Sequence, residues 1–116
     1  MKFKLIIVMI TDEKTEIVTD TARTAGATGC TVITSAVGEG LVPKKTFLGL
    51  DLKGQRDVVL LLVEEHLSRH ILEMVADVAG FEAEPGTGIA FLMDIEDAIG
   101  LGTQMETIEK EIEDQL

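Results

Sequence analysis

The chain has 116 residues, with 21 acids against 10 lysines and arginines and a formal net charge of −11. That balance argues against general nucleic-acid binding and against attraction to an anionic membrane surface. One domain is expected at this length, and a hydrophobic content of 46% with only 3% aromatics makes its core aliphatic. The single cysteine, Cys30, rules out an internal disulfide and fits a reducing compartment. The apolar run after Met1-Lys2-Phe3-Lys4 is too short for a signal-peptide core or a membrane span, so a soluble, cytoplasmic protein is expected.

Leu5 to Ile10 is continuously apolar and predicts a first strand. Thr11-Asp12 offers an N-cap, Glu13 and Glu16 suit a first helical turn, and Gly26 ends the periodic run. A helix is therefore predicted over residues 12–25, with Ile17, Val18, Thr21, Ala22 and Ala25 on its apolar side. Gly29 to Val37 is rich in β-branched residues and predicts a second strand. Residues 41–56 read as a loop or hairpin arm, in which Phe47, Leu48, Leu50 and Leu52 suit a short strand. Val58 to Val63 is the clearest buried strand. A second helix is predicted from Glu64-Glu65, with Leu67, Ile71, Met74, Val75 and Val78 inward and Gly80 at its end. Ile89 to Ile95 is the last strand, and residues 96–102 are short helix or irregular. Met105, Ile108, Ile112 and Leu116 space a weak acidic helix in a tail over residues 104–116, outside a domain of residues 1–103.

The order is β-α-β-β-α-β, the α+β ferredoxin-like arrangement with both helices on one face of an antiparallel sheet. Three of its strands are apolar at nearly every position, so both sheet faces call for burial. Two helices cover only one. The other face is expected to meet further copies of the chain, making a homo-oligomer.

Two features suggest a binding site. Pro85-Gly86-Thr87-Gly88 is a tight turn with uncovered backbone N–H groups at the mouth of the last strand, suited to a small anion or nucleotide. The window from Leu41 to Arg56 carries Lys44, Lys45, Lys53 and Arg56 against Asp51, a local +3 in an acidic chain. Such a window is either a solvated loop or a contact for phosphate or an acidic partner.

Gly26-Ala27-Thr28-Gly29-Cys30-Thr31-Val32, Gly38-Glu39-Gly40 and Gly86 to Ile99 together resemble the PII signalling family, the nitrogen regulatory protein P-II, in register over roughly residues 3–103. The resemblance implies a homotrimer with inward-facing sheets, an adenine-nucleotide site between subunits, and a loop after the second strand that docks on a regulated protein, a membrane transporter being one candidate. By matching position, Gly29 and Thr31 would lie near the base and Leu62 against the adenine. Gly38 and Gly40 would begin the docking loop, with Arg56 at its base. Gly86, Thr87 and Gly88 would wrap the phosphates. The resemblance implies a regulator, with no catalytic residues and no resident metal.

The departures shift the expected ligand. The family usually has a lysine where Ile89 stands and two arginines where Gly100 and Gly102 stand. Each charge-assisted phosphate contact is worth roughly 1.5–3 kcal/mol, so AMP, ADP or a small anion is expected ahead of ATP. No tyrosine is present, which excludes tyrosine modification, and Leu41-Val42 replaces the glutamine that helps hold 2-oxoglutarate and magnesium.

Other constellations are weaker. His66 and His70 lie four apart on the second helix and would serve the alternative, a metal-binding trimer of the divalent-cation-tolerance (CutA-like) type. Rim histidines are the plainer expectation. Cys30, among small and β-branched residues, reads as a buried, inert thiol. Glu64-Glu65 and Glu96-Asp97 are accounted for by helix starts. An acylphosphatase would need an arginine cradle where Thr11-Asp12 stands, and an RNA-binding sheet would need aromatic platforms. No nucleophile–base pairing or P-loop is visible, so an enzyme is not expected.

Overall fold

The computed structural model describes residues 1–34, 46–47, 50–51, 56–84, 86–101 and 113. Strand β1 (Phe3–Thr11) leads through a 3-10 turn (Asp12–Lys14) into α1 (Thr15–Thr24) and β2 (Gly29–Ile33). A two-stranded ribbon, β3 (Thr46–Phe47) with β4 (Leu50–Asp51), precedes β5 (Arg56–Glu64), α2 (Glu65–Ala79) and β6 (Gly88–Asp94). The four long strands form an antiparallel sheet in the order β2-β5-β1-β6. This is the ferredoxin-like α+β arrangement.

Alternation decides what each strand buries. Ile6, Val8 and Ile10 of β1 and Val59, Leu61 and Val63 of β5 point at the helices and are fully buried against Val18, Ala22, Ile71, Val75 and Ala79. Leu5, Ile7 and Met9 lie beside Leu62, Leu60 and Val58 of β5, and beside Met93, Phe91 and Ile89 of β6, on the opposite face. Among the described residues no helix covers that side, and its side chains remain half-buried, with Met93 48% exposed. The expectation of a sheet apolar on both faces is met by the chain itself.

Several local expectations are corrected. The first helix does not start at residue 12 with a threonine cap: Thr11 makes no capping hydrogen bond, and a 3-10 turn intervenes before Thr15. The start is set by tertiary contacts instead, since Lys14 and Thr15 both bond to distant parts of the chain. Ile17 points outward at 50% exposure, and Thr19 takes an inward place by returning its hydroxyl to the Glu16 carbonyl at 3.0 Å. On α2, Met74 is 38% exposed, while Ser68 and Ala79 are buried. Cys30 is exposed, not buried, because β2 is a sheet edge where Cys30 and Val32 stay open to solvent. The last strand ends at Asp94, and residues 95–98 are irregular. Gly26 and Gly80 end their helices with φ of 111° and 72°, the left-handed region open to glycine. The tail helix, apart from the helical residue Glu113, and residues 35–37 of the second strand lie outside the described residues.

Candidate ligand-binding surface

The register places the predicted site residues in two groups. Gly29 pairs with Leu62, and Leu62 with Leu5. A Cβ on Gly29 would come within 3.3 Å of the Leu62 Cβ, so glycine leaves the Leu62 side chain open on the uncovered face. Thr28 reinforces the place: its N–H and its hydroxyl both donate to the Leu62 carbonyl, at 3.0 and 3.1 Å. Thr31 stands two residues along on the same face, opposite Leu60.

The second group lies at the other end. Gly88 opens β6 opposite Ile10, and Arg56 opens β5 opposite Thr11. Gly86 has φ 82° and nothing near its missing side chain, so it is a turn residue. Gly88 differs: a Cβ there would sit 2.4 Å from the Phe81 ring, 2.6 Å from the Met9 carbonyl oxygen and 2.9 Å from Ile10 Cγ2. It is glycine because Phe81 packs onto its backbone. Thr87 turns its hydroxyl back to the Glu84 carbonyl at 2.8 Å. Arg56 is only 8% exposed and engaged in contacts.

Along β1 the two groups are five residues apart, Leu5 against Ile10, or about 17 Å at strand rise. Across the sheet Gly29 and Thr31 lie on the β2 edge and Gly88 on the β6 edge, three strand spacings or roughly 14 Å apart. One chain therefore does not bring Gly29, Thr31 and Leu62 together with Gly86, Thr87 and Gly88. Gly38, Gly40, Lys44, Lys45 and Lys53 lie outside the described residues.

A groove of about 580 Å³ runs between α2 and β6, floored by Leu72, Ala76 and Ile89, and Gly88 lines it. Its rim carries Arg69 with Glu73, Asp77 and Glu82. Arg69 Nε already bonds Glu73 at 2.8 Å, so the groove has the wrong sign for phosphate. His66, exposed, meets Glu64, whose carboxylate also accepts the His66 backbone N–H at 2.8 Å and so caps α2. Among the described residues Glu64, Glu65 and His66 have ligand atoms within 4.8 Å of one another, and His70 takes no part.

Sequence reasoning missed the buried acids. Asp57 is 6% exposed and accepts a hydrogen bond from Thr15 at 2.6 Å; Glu64 is 2% exposed. Asp57 breaks the apolar alternation of its strand on the helix side, which was the available signal.

The four-stranded antiparallel sheet with its two helices puts the chain in the ferredoxin-like class of folds. The sequence profile of the family described as nitrogen regulatory protein P-II matches residues 3–105. The chain belongs to the P-II family. No curated protein matches it in sequence. Among solved structures it is similar to CPII, a nitrogen regulatory PII-like protein of Thiomonas intermedia bound to ADP, AMP and bicarbonate. That match has 23% identity and TM-score 0.62, over 85% of this chain and 96% of that one. CPII with ADP and bicarbonate gives 25% identity and TM-score 0.60, over 82% and 87%. A PII-like signalling protein of Thermus thermophilus gives 21% and 0.58, over 82% and 91%. Among the described residues no helix is long and apolar enough to cross a membrane.

Proposed function

We propose that this chain is a non-catalytic, cytoplasmic regulator that assembles as a homotrimer and senses an adenine nucleotide with a small anion at its subunit seams. The observation that carries this reading is the separation of the two residue groups on one chain, on a sheet whose uncovered face is apolar. Association through that face would bury Leu5, Ile7, Leu60, Leu62 and Phe91, on the order of 1 kcal/mol for each half-buried side chain. It would also bring the Gly29–Leu62 edge of one copy towards the Gly86–Gly88 turn of the next.

In this assembly Gly29, Thr31 and Leu62 receive the base, and the turn formed by Gly86, Thr87 and Gly88 wraps the phosphates. ADP or AMP suits the site better than ATP, because Ile89, Gly100 and Gly102 supply no charge. The nucleotide and bicarbonate held by CPII support this ligand class. Arg56, at the root of the basic arm and at the same end of the sheet as Gly88, supplies a cation for a small anion such as bicarbonate. By the family resemblance Gly38 and Gly40 begin the docking arm, and the positive charge of Lys44, Lys45 and Lys53 suits contact with a regulated protein, a transporter being one such target. Residues 1–103 carry assembly and binding without the tail over residues 104–116.

Sedimentation and calorimetry test the reading together. Three chains per particle and heat on adding ADP or AMP, enhanced by bicarbonate and weaker with ATP, are expected. A monomer at working concentration, or silence across AMP, ADP, ATP and bicarbonate, overturns it.

A further inference from the structure

The turn carrying Gly86 and Thr87 is held from the far end of the sequence. The Lys14 ammonium donates to the Ala79 carbonyl, the last residue of α2, at 2.6 Å, and lies 3.5 Å from Glu84 Oε1. Its side chain is 19% exposed, against 62% for Glu84. Gly80 leaves room for the contact: a Cβ there would stand 3.2 Å from Glu84 Oε1 and 3.4 Å from Lys14 Nζ. Glu84 in turn anchors Thr87. The Glu84 N–H donates to the Gly80 carbonyl at 2.8 Å, and the Glu84 carbonyl accepts from the Thr87 N–H at 3.3 Å and the Thr87 hydroxyl at 2.8 Å. A single cation thus reaches from the start of α1, through Glu84, to the residue between the two glycines.

The neighbouring residue grips a different segment. Thr15 Oγ1 donates to Asp57 at 2.6 Å, and Asp57 directly succeeds Arg56 in the chain. Two consecutive residues, Lys14 and Thr15, therefore hold the glycine turn and the root of the basic arm to one short piece of backbone.

We propose that Lys14 is a positioning residue for the Gly86–Gly88 turn. Through Glu84 it sets the direction of the Thr87 N–H, and with Thr15 it keeps that turn in fixed relation to Arg56. The functional consequence rests on the proposed nucleotide site, in which the turn faces an anionic group. Lys14 is itself committed to Ala79 and Glu84, so its charge acts on the ligand through the turn. A cation at the C-terminal end of α2 also complements the helix dipole, which is why its structural and positioning roles need separate readouts.

Amide hydrogen exchange on the full chain separates them. In Lys14→Met, exchange at Glu84 and Thr87 is expected to rise about tenfold, the size of a lost charge-assisted bond. The amides of Ile6 and Leu61 are expected to change less than about twofold, and Lys14→Arg to restore the wild-type pattern. A uniform rise across all four amides, or no rise at Thr87, overturns the proposal. Calorimetry with ADP adds the second arm: Lys14→Met is expected to weaken binding at least about fivefold with Lys14→Arg close to wild type, and equal affinity in both overturns the positioning role. A wild-type chain silent to ADP, AMP and bicarbonate overturns the nucleotide site instead, and the exchange pattern alone then decides what Lys14 does.

Discussion

The two faces of the central sheet are built from the same residue types and have different fates. On one, Ile6, Val8, Val59 and Leu61 are fully buried beneath α1 and α2. On the other, Leu5, Ile7, Leu60 and Phe91 are as apolar and, among the described residues, have no helix over them. The first face accounts for the fold of one chain. The second contributes less to that fold, and its composition is what the proposed association would use.

Substitutions that act on one face and spare the other break or sharpen this contrast. The largest effect is expected from Leu60→Asp, which puts a carboxylate in the middle of the uncovered face. Self-association should weaken by roughly 4 kcal/mol, a thousandfold, with far-UV circular dichroism unchanged; sedimentation velocity checks it. Leu61→Ala, one residue away and pointing the other way, should cost about 2–5 kcal/mol of folding stability, read from chemical denaturation, without altering the assembly of the folded fraction. Gly88→Ala forces a methyl against Phe81 and the Met9 carbonyl and should lower stability by roughly 1–3 kcal/mol, visible as a lower Tm. Thr15→Val removes the hydroxyl that meets buried Asp57 and should cost about 1–2 kcal/mol in the same measurement. The smallest effect belongs to Arg69→Ala, whose exposed pair with Glu73 should be worth under about 0.5 kcal/mol. A loss above about 1 kcal/mol there would mean the groove between α2 and β6 matters to the fold.

Most of the architecture was legible because it rests on period. Runs such as Leu5 to Ile10 and Val58 to Val63 announce strands apolar on both sides, and Gly26 and Gly80 end helices for a local reason that a sequence displays. Errors arose where a residue's surroundings come from another part of the chain. Cys30 reads as buried from its neighbours, and only the strand order shows that β2 is an edge. The first helix starts late because Lys14 and Thr15 answer to Ala79 and Asp57, which lie 65 and 42 residues away. No local pattern encodes such a reach. The glycine turn was legible as a turn, but the division of labour inside it was not: Gly86 serves backbone conformation and Gly88 serves packing.

That division has a consequence for how such a motif changes over time. Phe81 leaves no room for a side chain at Gly88, the backbone at Gly86 is left-handed, and the Thr87 hydroxyl is occupied within its own turn. All three would be retained by selection for stability alone. A lineage that abandoned its effector would keep the signature as a fossil, and the loss would be written first in side chains with no duty inside the domain.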